Sequence, residues 1–484
     1  MTMEHFGVVI VGAGLSGIGA GVHLKRDCPG KSFLILESRE VMGGTWDLFR
    51  YPGVRSDSDM YTLGYAFRPW TDTHSIASGS TILNYIRDVA RDEGINPHIR
   101  YSSRVTKASW STPEARWTLQ LEQGPGKTPI HITCGFFFVC SGYYSYEQGY
   151  TPDLAGIAGF KGEVVHPQKW AADVDYAHKR VVIIGSGATA ITLVPAMADK
   201  AAHVTMLQRS PSYVLTRPAI DPVANWFNRH LPANLAYGLT RWKNVLMGML
   251  FFKASKHRPE RVKRMIVSGV RAALGPDYDV EKHFTPSYKP WDQRVCLVPD
   301  SDLFRAIRSG RASVVTDQIE TFTEHGIRLK SGQHLEADLV VTATGLDLLA
   351  LGGIAMVVDG KPVELNKTLS YKGMMLADIP NMAYVIGYTN ASWTLKSDLT
   401  CEYVCRLLKH MAKKQQRQCT PRLQDASVQE TSWIDFTSGY VLRSVDKFPK
   451  QGNRSPWRLH QNYALDILTL RHAALEDGTL IFTQ

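Results

Sequence analysis

The chain has 484 residues, of which 44% are hydrophobic and 21% charged, and its formal net charge is +10. This length is enough for about three domains, and this composition indicates a globular rather than a disordered protein. The positive charge can attract nucleic acid, an anionic membrane or an anionic cofactor. Because no long block of Lys or Arg occurs, we expect no nucleic-acid partner and favour scattered surface charge around a phosphate-binding pocket.

The cysteines indicate neither a disulfide framework nor a metal site. Their number is odd and they form no C-x-x-C pair, which fits a reducing compartment. The N-terminus does not resemble a signal peptide, and no apolar run approaches the ~20 residues of a membrane span. We therefore expect a cytoplasmic protein, with peripheral membrane contact left open. The cysteines are Cys28, Cys134, Cys140, Cys296, Cys401, Cys405 and Cys419.

The first predicted unit is a β-strand, a glycine-rich turn and a helix, in FGVVIVGAGLSG. Gly12 permits the tight turn, Gly14 lets the backbone approach a pyrophosphate, and Gly17 lets the helix pack on the strand. The helix N-terminus then presents unpaired N–H groups to the phosphates. Glu37 ends the next predicted strand, SFLILE, where a carboxylate binds ribose hydroxyls and repels a 2′-phosphate. The first loop is therefore predicted to bind a dinucleotide without a 2′-phosphate.

The same pattern returns in RVVIIGSGATA, with Gly185, Gly187 and Ala190. The strand after this second loop ends in Arg209 instead of an acidic residue. A guanidinium there can hold a 2′-phosphate through paired hydrogen bonds, and Ser210 can add a hydroxyl. The second loop therefore favours NADP, and the alternative is an ordinary surface arginine at the end of a strand.

Between the second loop and the later strands, residues 213–289 lose strand signals and show helical periodicity. We predict an α/β fold made of two interleaved Rossmann-like dinucleotide-binding domains with a helical insertion. The domain of the first loop, predicted to bind a dinucleotide without a 2′-phosphate, covers 1–148 and 348–484. The predicted NADP-binding domain covers 149–212 and 290–347.

An apolar octet, Val245 to Phe252, lies between basic flanks in the insertion. It can be an amphipathic surface helix that docks on an anionic membrane. We favour the alternative, a helix packed inside the insertion.

Two dinucleotide loops in one chain predict FAD together with NADPH, because Glu37 makes the first site unsuited to NADP. A disulfide reductase needs a cysteine pair beside the flavin. The stretch ESREVMGGTWDLFRYPGVRSDSDMY has no cysteine, which excludes that class. The remaining natural electron acceptor is molecular oxygen.

These motifs resemble a class B flavoprotein monooxygenase, most closely a Baeyer–Villiger monooxygenase of the ethionamide-activating subgroup. The resemblance covers essentially the whole chain. It is carried by GAGLSG, GGTWDLFRYPGVRSDSDMYTLGYAFRPW, FKGEVVHPQKW, GSGATA, YKPWDQRVCLVPD, VVTATG and FPKQGNRSPWRLHQNY.

The resemblance implies that NADPH reduces FAD, that oxygen adds at flavin C4a, and that the peroxyflavin attacks a ketone to give an ester or lactone. It also implies oxygenation of sulfur in thioethers or thioamides. The expected partners are molecular oxygen and a small lipophilic ketone or sulfur compound. Two alternatives stay open at this point: a heteroatom-oxidising flavin monooxygenase without ketone activity, and a non-catalytic FAD-binding protein.

The resemblance makes Arg294 the active-site cation and Asp57 the carboxylate that positions it. A permanent cation stabilises both the peroxide and the oxyanion of the adduct. The alternatives are a surface ion pair for Arg294 and a helix cap for Asp57 or its neighbour Asp59. The residues assigned to FAD are Gly12, Gly14, Ser16, Gly17, Glu37, Thr45, Trp46, Asp57 and Val105. Those assigned to NADP are Gly185, Ser186, Gly187, Ala188, Thr189, Ala190, Arg209 and Ser210.

FKGEVVHPQKW is similar to the Baeyer–Villiger fingerprint, through Phe160, Gly162, His166 and Trp170. The resemblance places this motif at the link between the two domains. We therefore expect a hydrogen-bonded interdomain His166 and a packing role for Trp170. The motif identifies the class and is not expected to carry the chemistry.

Overall fold

The computed structural model describes residues 3–434 and 436–484, and its two largest sheets are each built around one glycine loop. In the first sheet, His5–Val11 pairs in parallel with Phe33–Leu36 and Thr128–Val139. The helix Leu15–Asp27 connects the first two of these strands. The strand order of the first sheet is Lys361–Pro362, Ala355–Val358, Ser103–Ser111, Arg116–Gln123, Thr128–Val139, His5–Val11, Phe33–Leu36 and Ile99–Arg100. Met382–Tyr384 also pairs with Thr128–Val139.

The second sheet is parallel throughout its described pairings. Its inner strands Arg180–Ile184 and Leu339–Thr342 are apolar and buried almost throughout, as expected for a parallel sheet covered on both faces. Its strand order is Ala312–Thr316, His203–Gln208, Arg180–Ile184, Leu339–Thr342 and Glu163–Val165. In the sequence, the strands of the second sheet come after Thr128–Val139 and before Ala355–Val358, which both belong to the first sheet. The two sheets are therefore interleaved in sequence. The predicted α/β fold with Rossmann-like units is confirmed.

The insertion is largely helical, as predicted, but it opens with a strand that the sequence analysis missed. Val214–Arg217 pairs in parallel with Cys296–Pro299, on the far side of the insertion. The ladder joins segments about eighty residues apart, so local periodicity gave no signal for it. The insertion helices are Pro222–His230, Ala233–His257, Pro259–Leu274 and Val280–Phe284.

The preferred interpretation of the apolar octet is wrong. Val245 is buried, but Leu246 and Leu250 are 50% and 66% exposed. The helix Ala233–His257 therefore packs by one face only and leaves an apolar face in contact with solvent. Within the described residues, no helix is both long enough and apolar enough to cross a membrane.

The remaining elements cover the sheets or form short ribbons. Trp393–Lys413 packs against Leu15–Asp27 and closes the first sheet on that side. Further helices are Thr45–Leu48, Met60–Leu63, Gly79–Asp92, Ala188–Met197, Asp302–Arg308, Gly439–Leu442 and Tyr463–Asp466. The ribbons are Ile319–Thr323 with Gly326–Leu329 and His334–Glu336, Tyr144–Gly149 with Leu346–Leu348, Ser370–Tyr371 with Met375–Leu376, Gln418–Pro421 with Leu480–Thr483, and Glu430–Thr431 with Gln451–Gly452.

Candidate functional site

A single cavity of about 1140 Å³ extends from the first glycine loop to the second. Most of the predicted site residues line it, although they come from segments as far apart as Gly12 and Arg294. Two residues of the predicted glycine loops, Gly17 and Ala190, are not part of the described lining of this cavity. The predicted residues in the lining are Gly12, Gly14, Ser16, Glu37, Thr45, Trp46, Asp57, Val105, Gly185, Ser186, Gly187, Ala188, Thr189, Arg209, Ser210 and Arg294.

In the first glycine loop, backbone atoms of neighbouring segments approach each other closely, which leaves no room for side chains at two of the glycines. Gly12 has φ +102°, a conformation that L side chains rarely adopt, and a Cβ there would come 2.7 Å from the carbonyl oxygen of Cys140. A Cβ at Gly17 would overlap the carbonyl oxygen of Gly12. Gly14 is the residue at which the helix Leu15–Asp27 begins. The loop therefore offers bare N–H groups at a helix N-terminus, which fits a pyrophosphate.

Glu37 is a buried carboxylate at the carboxyl end of the strand Phe33–Leu36. Its Oε2 accepts a hydrogen bond from the backbone N–H of Ala13 at 2.7 Å, and its Oε1 accepts from that of Arg39 at 2.9 Å. Burial raises the pKa of Glu37, and these two backbone donors act in the opposite direction. Each carboxylate oxygen keeps acceptor capacity, so the residue fits the ribose of a dinucleotide on the first loop.

The second loop repeats this geometry with one difference. Gly185 has φ +139°, and Gly187 is the residue at which the helix Ala188–Met197 begins. Ser186 Oγ donates to the carbonyl oxygen of Ser210 at 3.1 Å. Arg209 is exposed at the cavity wall, beyond the end of the strand His203–Gln208. The residues present therefore fit a second dinucleotide, and the exposed guanidinium of Arg209 lies on the same cavity wall.

Arg294 and Asp57 form a two-point ion pair on the cavity wall. Arg294 Nε lies 2.8 Å from Asp57 Oδ2, and Arg294 Nη2 donates to Asp57 Oδ1 at 3.0 Å. The nearby carboxylate of Asp57 raises the pKa of Arg294 further above its ordinary value, so the guanidinium stays charged. About a third of the Arg294 side chain is exposed, and it lines the cavity.

Asp59 has a different role from Asp57. Its carboxylate accepts from the backbone N–H of Thr62 at 3.0 Å and caps the helix Met60–Leu63. The two carboxylates thus have different partners: Asp59 caps the helix Met60–Leu63, and Asp57 pairs with Arg294.

Three tyrosines beside Arg294 escaped the sequence analysis. Tyr143, Tyr144 and Tyr440 line the same cavity, and the hydroxyls of Tyr143 and Tyr144 are 3.2 Å apart. Burial raises the pKa of Tyr144 to about 12, so its hydroxyl is protonated at neutral pH. The Tyr pair follows the strand Thr128–Val139, and its place past a strand end was a usable signal. Tyr440 comes from the C-terminal part of the chain, where no sequence pattern indicated a place in the site.

Trp46 and Trp393 have defined places near the first loop. Thr45 and Trp46 begin the short helix Thr45–Leu48, and both line the cavity. Trp393 Nε1 donates to Ser16 Oγ at 2.7 Å, and its ring lies 5.3 Å from that of Tyr143. Ser16 is therefore hydrogen-bonded to a side chain that lies 377 positions later in the sequence. Val105 is buried within the strand Ser103–Ser111 at the edge of the cavity.

The fingerprint residues flank the edge strand Glu163–Val165 of the second sheet, and in the described lining of the cavity none of the four is present. Phe160 packs on Phe322, and Trp170 on Tyr176. His166 Nδ1 accepts from the backbone N–H of Gln168 at 3.2 Å, which leaves Nε2 to donate to the carbonyl oxygen of Gly345 at 3.2 Å. Burial lowers the pKa of His166, consistent with a neutral, hydrogen-bonded ring. A Cβ at Gly162 would come 2.6 Å from the carbonyl oxygen of Asp338.

The signature of the flavin-binding monooxygenase-like family matches residues 67–420, and that of an NAD(P)-binding Rossmann-like domain matches residues 10–74. The chain belongs to the flavin-binding monooxygenase-like family. It is 54% identical to the FAD-containing monooxygenase EthA of Mycobacterium tuberculosis, over 99% of this chain and 98% of that protein. It is 47% identical to the probable FAD-binding monooxygenase AlmA of Acinetobacter baylyi, over 99% and 96%.

Solved structures share the fold of this flavin-binding monooxygenase. An oxidized steroid monooxygenase bound to NADP superposes with a TM-score of 0.79 and 20% identity, covering 99% of this chain and 100% of that one. Cyclohexanone monooxygenase from Rhodococcus sp. Phi1 gives a TM-score of 0.72 at 20% identity, covering 87% of each chain. The predicted class of flavoprotein monooxygenase is confirmed by the family match.

Proposed function

We propose that this flavin monooxygenase binds FAD on the first glycine loop and NADPH on the second, and converts ketones to esters or lactones. We propose oxygenation of sulfur in thioethers or thioamides as a second activity of the same site. The Arg294–Asp57 pair carries this proposal, because it puts a permanent cation in the cavity that both loops share. In the overall reaction one atom of O₂ enters the ester, the other leaves as water, and NADPH supplies two electrons.

FAD and a nicotinamide dinucleotide are the cofactors of this protein. The family is flavin-binding, the relative at 54% identity is FAD-containing, and the N-terminal signature is NAD(P)-binding. The predicted use of two dinucleotides is thereby confirmed. The choice of NADPH over NADH is proposed from Arg209, whose guanidinium suits a 2′-phosphate.

When bound and reduced, the flavin supplies the activation of oxygen. The chain supplies the charge that stabilises the reacting carbonyl. We propose that Arg294 donates to the carbonyl oxygen of the substrate, where negative charge develops during attack. Asp57 is a positioning residue, because its two-point contact fixes the plane of the guanidinium. The protonated tyrosines beside it help to exclude water.

A small chamber of about 40 Å³ adjoins Arg294, and its walls combine apolar side chains with the polar Thr389, Lys396, His460 and Gln461. It shares Tyr143, Arg294, Tyr388 and Tyr440 with the large cavity. Its apolar walls come from Ile386, Trp433, Ile434, Phe436, Val441 and Leu459. We propose that the group next to the reacting carbonyl or sulfur enters this chamber.

Replacing Arg209 with alanine should remove the preference for NADPH. A charge-assisted hydrogen bond contributes about 1.5–3 kcal/mol, so we expect KM for NADPH to rise roughly 10- to 100-fold. KM for NADH should change little, because NADH has no 2′-phosphate. The measurement is steady-state oxidation of each nucleotide by the purified holoenzyme.

The matched control is Arg328→Ala, at an exposed arginine paired with Glu320 on the ribbon Ile319–Thr323. It should leave both KM values unchanged. Equal oxidation of NADPH and NADH by the unmodified enzyme would remove the role given to Arg209.

The reaction itself is tested by incubating the holoenzyme and NADPH with a panel of ketones and thioethers and identifying the products by mass spectrometry. Esters from ketones support the proposal. Sulfoxides alone would instead favour a heteroatom-oxidising monooxygenase without ketone activity.

A further inference from the structure

One face of the helix Ala233–His257 is apolar and exposed over most of its length. Its exposed residues Leu235, Leu239, Trp242, Leu246 and Leu250, here called the apolar stripe, follow one another at intervals of three or four residues. At 3.6 residues per turn they share one side of the helix, over roughly 22 Å. Isolated exposed leucines are common on soluble proteins, but a continuous stripe of this kind marks an interaction surface.

The opposite face fixes the orientation of the helix. Arg241 Nη1 donates to the carbonyl oxygens of Tyr61 and Gly64, each at 2.8 Å. Tyr237 donates its hydroxyl to the carbonyl oxygen of Tyr65 at 3.0 Å. Because these bonds are buried, turning the stripe inward would break them and bury polar groups without partners. The stripe is therefore a fixed outward feature.

Basic residues continue the stripe at its C-terminal end. Lys253 comes eighteen residues after Leu235, and His257 comes eighteen after Leu239, about five turns in each case, so both lie on the same side of the helix. Arg258 follows at the end of the helix. All three of these side chains are exposed, and in the described part of the chain none takes part in an ion pair within 4.0 Å.

The charge distribution distinguishes between two occupants of this surface. Pairing with a second copy through the same face would desolvate both stripes next to like-charged segments, in a protein whose net charge is already +10. An anionic bilayer covers the leucines and Trp242 with acyl chains and meets Lys253 and Arg258 with phosphates. Charge complementarity thus favours the bilayer.

We propose that the helix Ala233–His257 lies flat on the surface of an anionic lipid bilayer, with the apolar stripe inserted into the headgroup region. The proposal does not depend on the reaction assigned above. The inner face of the helix packs on the segment that lines the cavity: Asn244 Nδ2 donates to Asp59 at 2.9 Å, and Leu63 belongs to the lining. Docking would thus bring the cavity close to lipophilic compounds dissolved in the membrane.

The test is flotation of the purified holoenzyme with two kinds of vesicle, one of pure phosphatidylcholine and one of equal parts phosphatidylcholine and phosphatidylglycerol. We expect flotation with the anionic vesicles and a loss of binding as salt increases. Leu250→Glu should weaken partition about tenfold or more, because it puts a carboxylate into the inserted face. Lys253→Glu should weaken it less and reduce the dependence on salt.

The matched control is Leu423→Glu, at a leucine that is 40% exposed in the loop after Gln418–Pro421. It should float like the unmodified enzyme. An unchanged flavin spectrum shows that each variant is folded. The proposal is overturned if the unmodified enzyme stays with the unbound protein, or if Leu250→Glu floats equally well. It is also overturned if Leu250→Glu abolishes only self-association in gel filtration, which would assign the stripe to a second copy.

Discussion

Replacing Arg294 with alanine is expected to lower the rate of ester formation by about 100- to 1000-fold, the usual cost of removing one preorganised oxyanion donor. NADPH-dependent bleaching of the flavin absorbance should persist, because Arg294 pairs with Asp57 and belongs to neither glycine loop. The combination of intact reduction with lost oxygenation is the signature of a residue that acts at the oxygenation step. Stopped-flow reduction and product analysis on the same preparation measure both.

Two further variants separate charge from position. Arg294→Lys keeps the charge but loses the two-point contact with Asp57, so we expect partial activity. Asp57→Asn leaves the guanidinium charged but less firmly oriented, and should lower kcat more than it changes KM. Arg328→Ala again serves as the surface control. If Arg294→Ala forms ester at the original rate, Arg294 does not belong to the catalytic site.

Replacing Gly17 with alanine is expected to remove most of the bound flavin. The added methyl would overlap the carbonyl oxygen of Gly12, which is backbone and cannot rotate away. Either the helix Leu15–Asp27 moves off the sheet or the loop opens, at a cost of about 1–3 kcal/mol or more in the free energy of unfolding. The measurements are the ratio of flavin to protein after purification and the midpoint of thermal unfolding.

Gly30→Ala is the matched control, because a Cβ there has no heavy atom within 4 Å among the described residues. It should retain its flavin and unfold at the original temperature. The second loop has Ala190 at the position that corresponds to Gly17, and that residue is fully buried within the helix Ala188–Met197. Full flavin occupancy in Gly17→Ala would show that the first loop tolerates the same spacing, against the geometry described here.

The parts of the site that depend on local geometry were predictable from the sequence. A strand, a glycine turn and a helix must occur in a fixed order for a backbone cradle to form, so spacing alone predicted Gly12, Gly14 and Glu37, which line the cavity. The same holds for Gly185 and Arg209. Arg294 and Asp57 are 237 positions apart, and they were found through a family resemblance because no local pattern relates them.

The features that were missed depend on contacts between distant segments. The strand Val214–Arg217 is short and gains its partner only across the whole insertion. Tyr440 comes from the C-terminal part of the chain and lines the same cavity as Arg294. In the octet Val245 to Phe252, an unbroken apolar run hides the helical period, so the sequence did not show which side chains face outward.

The product formed from a ketone under ¹⁸O₂ tests the central claim most directly. The holoenzyme, supplied with NADPH and a cyclic ketone, should yield the ring-expanded lactone with one labelled oxygen atom, and this product should disappear in Arg294→Ala. A holoenzyme that consumes NADPH and oxygenates a thioether, but leaves every ketone of the panel unlabelled, would contradict the assignment of a Baeyer–Villiger reaction to this site.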